Sequence, residues 1–178
     1  MRTAASWLLP GLALIAVPAS AQEVFGGVLA HGVDTPFTFD TDEGGVDLQL
    51  GYRFGRISAL GFMGAPAPYV ISSVHTGGET SFVGAGLSWT VGKGPVYLRP
   101  GIGLIVHDGP KLRINAQRVH TELGSRVLFE PELGLGYRIS ERFSLEVQWT
   151  HISHARLFNA RQNPGIDMIG LRANWRVR

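Results

Sequence analysis

Alternation of apolar and polar residues, repeated in eight stretches, constrains the fold of this chain more than any other feature of its sequence. In the stretch 143–150, FSLEVQWT, every odd position is apolar and every even position is polar. Successive side chains of a β-strand point to opposite faces, so this pattern is typical of a strand with one apolar face. The pattern predicts strands at residues 23–31, 46–54, 68–75, 80–90, 96–107, 127–137, 142–153 and 165–177. An earlier start of the third strand, at Leu60, is also compatible with it.

The polar faces of these strands indicate which side of the sheet meets lipid. They are rich in glycine and carry charges of both signs, at Asp47, Arg53, Arg99, Glu130, Glu132, Glu146 and Arg172. Glycines leave room in a narrow lumen and opposite charges can pair there, so the apolar faces would meet lipid. A closed barrel leaves no unpaired sheet edge in hydrocarbon, and about eight strands is the smallest common size. We therefore predict an all-β fold, an eight-stranded antiparallel transmembrane β-barrel, with a soluble lipocalin-like barrel as the alternative.

The start of the chain has the pattern of a secretory signal peptide. Arg2 precedes an apolar run over residues 7–17, and the small residues Ala19, Ser20 and Ala21 follow it. This order of a positive start, a short apolar core and a small-residue cleavage site is typical of such peptides. We expect a signal peptide over residues 1–21 and a single barrel domain over residues 22–178. A buried helix is the alternative for the first segment.

Composition excludes several classes of site and partner. The sequence has no cysteine, so it has no disulfide framework and no thiolate metal site. Its net charge of +2 is too small to indicate a nucleic-acid partner. His31, His75, His107 and His120 are scattered without metal-ligand spacing, and we interpret them as lumen or loop residues. We expect no metal and no cofactor.

Loop lengths predict the orientation of the barrel. Bacterial outer-membrane barrels have short periplasmic turns and longer external loops. With the N-terminus in the periplasm, the external connections are residues 32–45, 76–79, 108–126 and 154–164, and the short turns 91–95 and 138–141 are periplasmic. The periplasmic connection 55–67 is long and fits this pattern poorly. The seventh strand then ends, and the eighth begins, in the outer leaflet.

Three residues suited to nucleophilic catalysis interrupt the apolar faces of the last two strands. His151 and Ser153 continue the apolar face of the seventh strand, and Asp167 lies on that of the eighth. Residues two apart on a strand have Cβ atoms roughly 7 Å apart, and a neighbouring strand lies about 4.8 Å away, so the three side chains can meet. His151 would then remove the Ser153 proton while Asp167 holds the imidazole tautomer, and Asn163 could donate its amide to an oxyanion. The alternative is that these residues only form hydrogen bonds with lipid headgroups. We interpret the neighbouring His154 as a loop residue.

The segment from His151 to Asp167 resembles the signature of the lipid A 3-O-deacylase (PagL-type) family. The likeness rests on His151-x-Ser153-x-Ala155 followed by residues 163–167, NPGID, and extends loosely over the mature chain. The resemblance implies an eight-stranded barrel in the outer membrane of a Gram-negative bacterium. It also implies that Ser153 is the nucleophile, His151 the base and Asn163 the oxyanion-hole residue. Asp167 stands where the family usually has Glu.

The function expected from these residues and from the resemblance is ester hydrolysis in the membrane. We expect an outer-membrane serine esterase that removes an ester-linked acyl chain, the 3-O chain, from lipid A of lipopolysaccharide. Its partners would be the lipopolysaccharide substrate and outer-membrane lipid, with no nucleic acid, and a homodimer is compatible with the sequence. The alternative is a non-catalytic structural or adhesin barrel.

Overall fold

Eight antiparallel strands form a closed barrel, in which each strand pairs with its neighbours in sequence and the last strand returns to pair with the first. The computed structural model describes residues 22–38, 43–109, 123–155, 157 and 164–177. The strands are β1 (Glu23–His31), β2 (Gly45–Arg53), β3 (Ala67–His75), β4 (Phe82–Ser88), β5 (Val96–His107), β6 (Val127–Arg138), β7 (Phe143–Ile152) and β8 (Ile166–Arg176). The predicted fold class is confirmed. The predicted signal peptide lies outside the described residues.

The connection between β2 and β3 is where the sequence pattern was most ambiguous. A 3₁₀ helix, Ser58–Met63, occupies it, so Leu60 does not belong to a strand and β3 begins at Ala67. Gly64 ends this helix with a φ of 89°, a left-handed conformation that glycine adopts without steric cost. Among the described residues, no helix is long and apolar enough to cross a bilayer.

The two faces of the barrel are inverted relative to a soluble protein, as predicted. Apolar side chains on the outside remain exposed, among them Leu48, Leu50, Val83, Leu104, Leu135 and Leu171. Charged and amide side chains fill the inside and are buried, among them Asp47, Gln49, Arg99, Glu146 and Arg172. An eight-stranded barrel is just wide enough for its interior to be filled by side chains.

Ion pairs occupy much of this lumen. Glu23 accepts hydrogen bonds from Arg53 and Arg99, each at 2.7 Å, and Arg172 donates to Glu132 at 2.8 Å. Removing one partner would leave a buried charge uncompensated, which is more costly than the pair itself. Loss of either partner of such a pair is therefore expected to destabilise the barrel.

The two ends of the barrel differ in their connections. Residues 32–44, 76–81, 108–126 and 153–165 join strands at one end, called here the long-loop end. The opposite end carries the shorter turns 89–95 and 139–142, the β2–β3 connection of residues 54–66, and the first and last described residues, 22 and 177. At the long-loop end the lumen is closed by fully buried apolar side chains, Leu123, Leu128, Ile152, Ile166 and Met168. They support the strand ends that carry the candidate site.

Candidate active site

The register of β7 and β8 brings His151 and Asp167 together at the long-loop end. The two residues are direct cross-strand partners, and His151 Nδ1 lies 3.0 Å from Asp167 Oδ1. An ionised carboxylate only accepts hydrogen bonds, so Nδ1 carries the proton and donates it to Asp167. In the neutral imidazole, the lone pair is then on Nε2, the nitrogen a general base would use.

Asp167 is held by donors on two other elements. By alternation it shares the outward face of β8 with Ile169 and Leu171, yet it is fully buried. Trp149 Nε1 donates to its Oδ1 at 2.9 Å, and Thr35 Oγ1 donates to its Oδ2 at 2.5 Å. A buried carboxylate needs such partners, because leaving it without hydrogen bonds would be costly. Both of its oxygens are thereby fixed in position.

The first part of the β1–β2 connection covers this carboxylate. We call residues 33–38 the cap segment. The Val33 N–H donates to the Asp167 carbonyl at 2.9 Å, and Thr35 and Thr38 form an isolated antiparallel bridge. Phe37 packs its ring 5.4 Å from that of Trp149 and 6.5 Å from that of His151. The cap segment, β7 and β8 together surround the imidazole of His151.

Ser153 follows the end of β7 and is fixed through its backbone to β6. Its N–H donates to the Phe129 carbonyl at 3.1 Å, and its carbonyl accepts from the Phe129 N–H at 2.8 Å. It lies two residues beyond His151 and is buried. Within the described part of the chain, Ser153 Oγ makes no hydrogen bond to His151. In enzymes without substrate, such catalytic hydrogen bonds are often long and tighten when substrate binds.

Gly165 is a close neighbour of the imidazole that sequence reasoning treated only as a strand start. A Cβ atom at this position would lie 2.4 Å from His151 Cε1 and 3.0 Å from His151 Nε2. Any side chain would therefore displace the ring. In the sequence, the signal for this glycine was the Asn-Pro-Gly run at residues 163–165.

A second histidine cluster lies inside the lumen at the same end. Nitrogen and oxygen atoms of His31, Asp47 and His75 lie within 4.8 Å of one another, so the two histidines are in contact rather than scattered. The cluster arises because β1 and β3 both pair with β2, a relationship that sequence spacing does not reveal. His31 Nδ1 donates to Asp47 Oδ2 at 2.7 Å, and Nε2 donates to Glu43 Oε2 at 3.1 Å.

The hydrogen bonds of His75 decide whether this cluster suits a metal. Its Nδ1 accepts the backbone N–H groups of Gly77 at 3.2 Å and Glu79 at 2.9 Å. Nε2 therefore carries the ring proton and donates to the Gly44 carbonyl at 3.2 Å. A metal ligand needs a lone pair on the nitrogen that faces the ion. The arrangement favours a hydrogen-bonded network over a metal centre.

Comparison with known families decides which group of proteins this chain belongs to. The family model of lipid A 3-O-deacylase (PagL) matches residues 34–176. This chain belongs to the lipid A 3-O-deacylase (PagL) family. The match begins within the cap segment and includes His151, Ser153 and Asp167. Membership of the lipid A 3-O-deacylase family and the barrel fold place the chain in the outer membrane of a Gram-negative bacterium, as predicted.

Several solved structures share the barrel fold of this chain. The crystal structure of the outer membrane enzyme PagL aligns with a TM-score of 0.61 and 19% identity, over 86% of this chain and 98% of its own. Neisserial surface protein A aligns with a TM-score of 0.57 and 9% identity, over 86% and 96%. A de novo designed transmembrane β-barrel aligns with a TM-score of 0.52 and 13% identity, over 89% and 96%. None of the curated protein sequences matches significantly.

The structure brings together only part of the site predicted for this lipid A 3-O-deacylase family member. His151 and Asp167 are in contact, and Ser153 lies on the adjoining backbone. Asn163 lies outside the described residues. His154, interpreted as a loop residue, follows β7 and is fully buried. Thr35 and Phe37 were missed, because nothing in a Thr-Pro-Phe-Thr turn indicates contact with a strand more than a hundred residues away.

Proposed function

We propose that this protein is a serine esterase that removes the ester-linked 3-O acyl chain from lipid A through a Ser153–His151–Asp167 triad. The observation that carries the proposal is the His151–Asp167 pair, with Ser153 two residues beyond His151 and directly after the end of β7. A carboxylate, an imidazole and a hydroxyl in this order form a relay for nucleophilic catalysis. The lipid A 3-O-deacylase family supplies the substrate class.

Each triad residue has a defined step in this mechanism. His151 Nε2 takes the proton of Ser153 as Oγ attacks the ester carbonyl carbon, while Asp167 stabilises the imidazolium through Nδ1–H. The bond between the carbonyl carbon and the 3-oxygen then breaks, and His151 returns the proton to that oxygen. Water, deprotonated by His151, then attacks the acyl-serine, the bond from the carbonyl carbon to Ser153 Oγ breaks, and His151 returns the proton to Oγ as the fatty acid leaves. Asn163 would donate to the oxyanion in both steps.

The surroundings of the site suit a substrate that lies in a membrane. Below His151, toward mid-barrel, the outward side chains Val147, Ile169 and Leu171 are apolar and exposed. An acyl chain could lie against them while its ester reaches Ser153. In the predicted orientation this end of the barrel is external, where lipopolysaccharide forms the leaflet.

Incubation with lipopolysaccharide tests the proposed function. Purified protein in detergent should convert lipid A to a species that lacks one 3-hydroxy acyl chain, as measured by mass spectrometry, and release the matching fatty acid. The Ser153→Ala variant should release none, whereas Ser72→Ala, which changes an outward serine on β3, should be fully active. Unchanged lipid A after treatment with folded wild-type protein would instead support a structural or adhesin barrel.

A further inference from the structure

The carboxylate of Asp167 is oriented by more than its imidazole partner. Its Oδ1 accepts from both His151 Nδ1 and Trp149 Nε1, and its Oδ2 accepts from Thr35 Oγ1. Rotation of the carboxylate about its last side-chain bond is broad and poorly restricted by itself. A rotation that moved Oδ1 away from His151 would also break the bond from Thr35. The Thr35 hydroxyl therefore locks the orientation that the imidazole needs.

The direction of the Thr35 hydroxyl proton is itself fixed. The backbone N–H of Phe37 donates to Thr35 Oγ1 at 3.0 Å, so the hydroxyl accepts on one side and donates to Asp167 on the other. The bridge between Thr35 and Thr38 closes the turn that makes this possible, through N–H···O bonds of 3.0 and 3.2 Å. The Val33 N–H anchors the same turn to the backbone of Asp167. The turn and the carboxylate thus form one hydrogen-bonded unit.

Phe37 lies beside the imidazole, on the exposed surface of the cap segment. Phe37 is 71% exposed although its ring packs on that of Trp149. An exposed aromatic ring beside the His151–Asp167 pair is a surface that an apolar substrate group can cover. The rings of Trp149, Phe37 and His151 form one group, with centroids 5.4 to 6.5 Å apart.

We propose that the cap segment completes the active site. Thr35 is the positioning residue of Asp167, and Phe37 is the apolar surface that the acyl chain to be removed contacts. This inference rests on the proposed esterase function. The two residues have different roles in it. Thr35 acts on the chemical step through Asp167, and Phe37 acts on substrate binding through apolar contact.

Thr35→Val tests the positioning role, because valine keeps the shape and loses the hydroxyl. The expected result is a fall in kcat of about tenfold, the value of one hydrogen bond to a charged group, with KM unchanged. Thr35→Ser should restore most of kcat. Thr76→Val is the matched control, since the Thr76 hydroxyl contacts a backbone carbonyl at the same barrel end, and it should leave kcat unchanged. An unchanged kcat for folded Thr35→Val would overturn the positioning role.

A double-mutant cycle separates positioning from mere support of the turn. In an Asp167→Asn background, Thr35→Val should lower the residual rate by less than twofold, since its target carboxylate is already gone. A further tenfold loss in that background would show that Thr35 acts independently of Asp167 and would overturn the inference. Gel mobility of the folded barrel before and after heating confirms that each variant has folded.

Phe37→Ala tests whether the acyl chain contacts this ring, and Phe37→Leu is the control. Loss of the ring should raise KM for lipopolysaccharide about fivefold or more, because substantial apolar contact area is removed, while kcat changes little. Phe37→Leu should retain most of the affinity. With soluble ester substrates the effect of Phe37→Ala should grow with acyl length, and an effect independent of length would remove Phe37 from the acyl site. Normal activity of Ser153→Ala would instead refute the esterase function itself, whatever the cap variants do.

Discussion

His151 on β7 and Asp167 on β8 face each other directly across the sheet, with Nδ1 and Oδ1 3.0 Å apart. Cross-strand partners have Cβ atoms about 4.5–5.5 Å apart, a spacing that the barrel register maintains. A short carboxylate is enough at this distance. The resemblance to the family implies a Glu at this position, and in the proposed triad the direct pairing would let the shorter Asp167 serve instead.

Asp167→Ala should lower turnover by about 10⁴, because the imidazole loses both its tautomer bias and its counter-charge. Asp167→Glu should keep more activity than Asp167→Ala but less than wild type, since the carboxylate is fully buried and already bonded to His151, Trp149 and Thr35. The measurement is fatty-acid release from lipopolysaccharide in detergent. Normal release by Asp167→Ala would remove Asp167 from the site.

Ser153→Ala and His151→Ala should each abolish turnover to the same background rate. The double variant should be little worse than either single one, because triad residues act as a unit. If the factors by which the two single variants lower the rate multiplied in the double variant, the two residues would act separately. Circular dichroism should show the same β-rich spectrum for all three proteins.

Gly165→Ala should reduce activity strongly even though alanine is a small residue. The added Cβ would lie 2.4 Å from His151 Cε1, so the imidazole must move away from Asp167 or from the Ser153 side. Gly61→Ala is the control, since a Cβ there meets no atom within 4 Å. Equal activity of the two variants in the lipopolysaccharide assay would show that the ring tolerates displacement.

Local alternation was sufficient to predict the barrel and its faces, because a strand's side chains alternate whatever its partners are. It also placed His151 and Asp167 on one face of adjoining strands. The Thr35–Asp167 bond spans 132 residues and the His31–His75 contact runs through a third strand, so neither leaves a local pattern. The 3₁₀ helix at Ser58–Met63 was equally hidden, since short apolar runs look alike in helix and strand.

Leu133→Arg should obstruct assembly of the barrel. Leu133 lies mid-strand on the outward face of β6 and is exposed, so its replacement puts a cation near the bilayer midplane at a cost of roughly 2–4 kcal/mol. Val91→Arg makes a comparable outward change in the β4–β5 turn, where the cost falls to about 0–1 kcal/mol. The yield of heat-modifiable folded barrel after refolding into lipid vesicles measures both. Equal yields would contradict the assignment of the outer face.

Glu43, in the β1–β2 connection, should take up its proton at a lower pH than an ordinary glutamate does, because its pKa is lowered. Burial by itself raises the pKa of this carboxyl, but hydrogen bonds from His31 and from the Thr80 hydroxyl and N–H outweigh it and hold the pKa below the ordinary 4.5. A lowered pKa in the folded state means that the stabilisation from ionised Glu43 is complete above pH 4.5 and is lost only as the pH falls through the folded value.

The Thr80 amide, 3.1 Å from Glu43 Oε2, reports this titration directly. Its NMR chemical shift should titrate with a midpoint below 4.5, while the Thr76 amide, bonded to the Val46 carbonyl, stays constant throughout. His31→Ala removes the largest of the hydrogen-bond contributions and should shift the Thr80 midpoint to higher pH. A wild-type midpoint above 4.5 would mean that burial, rather than the hydrogen bonds, controls this carboxyl.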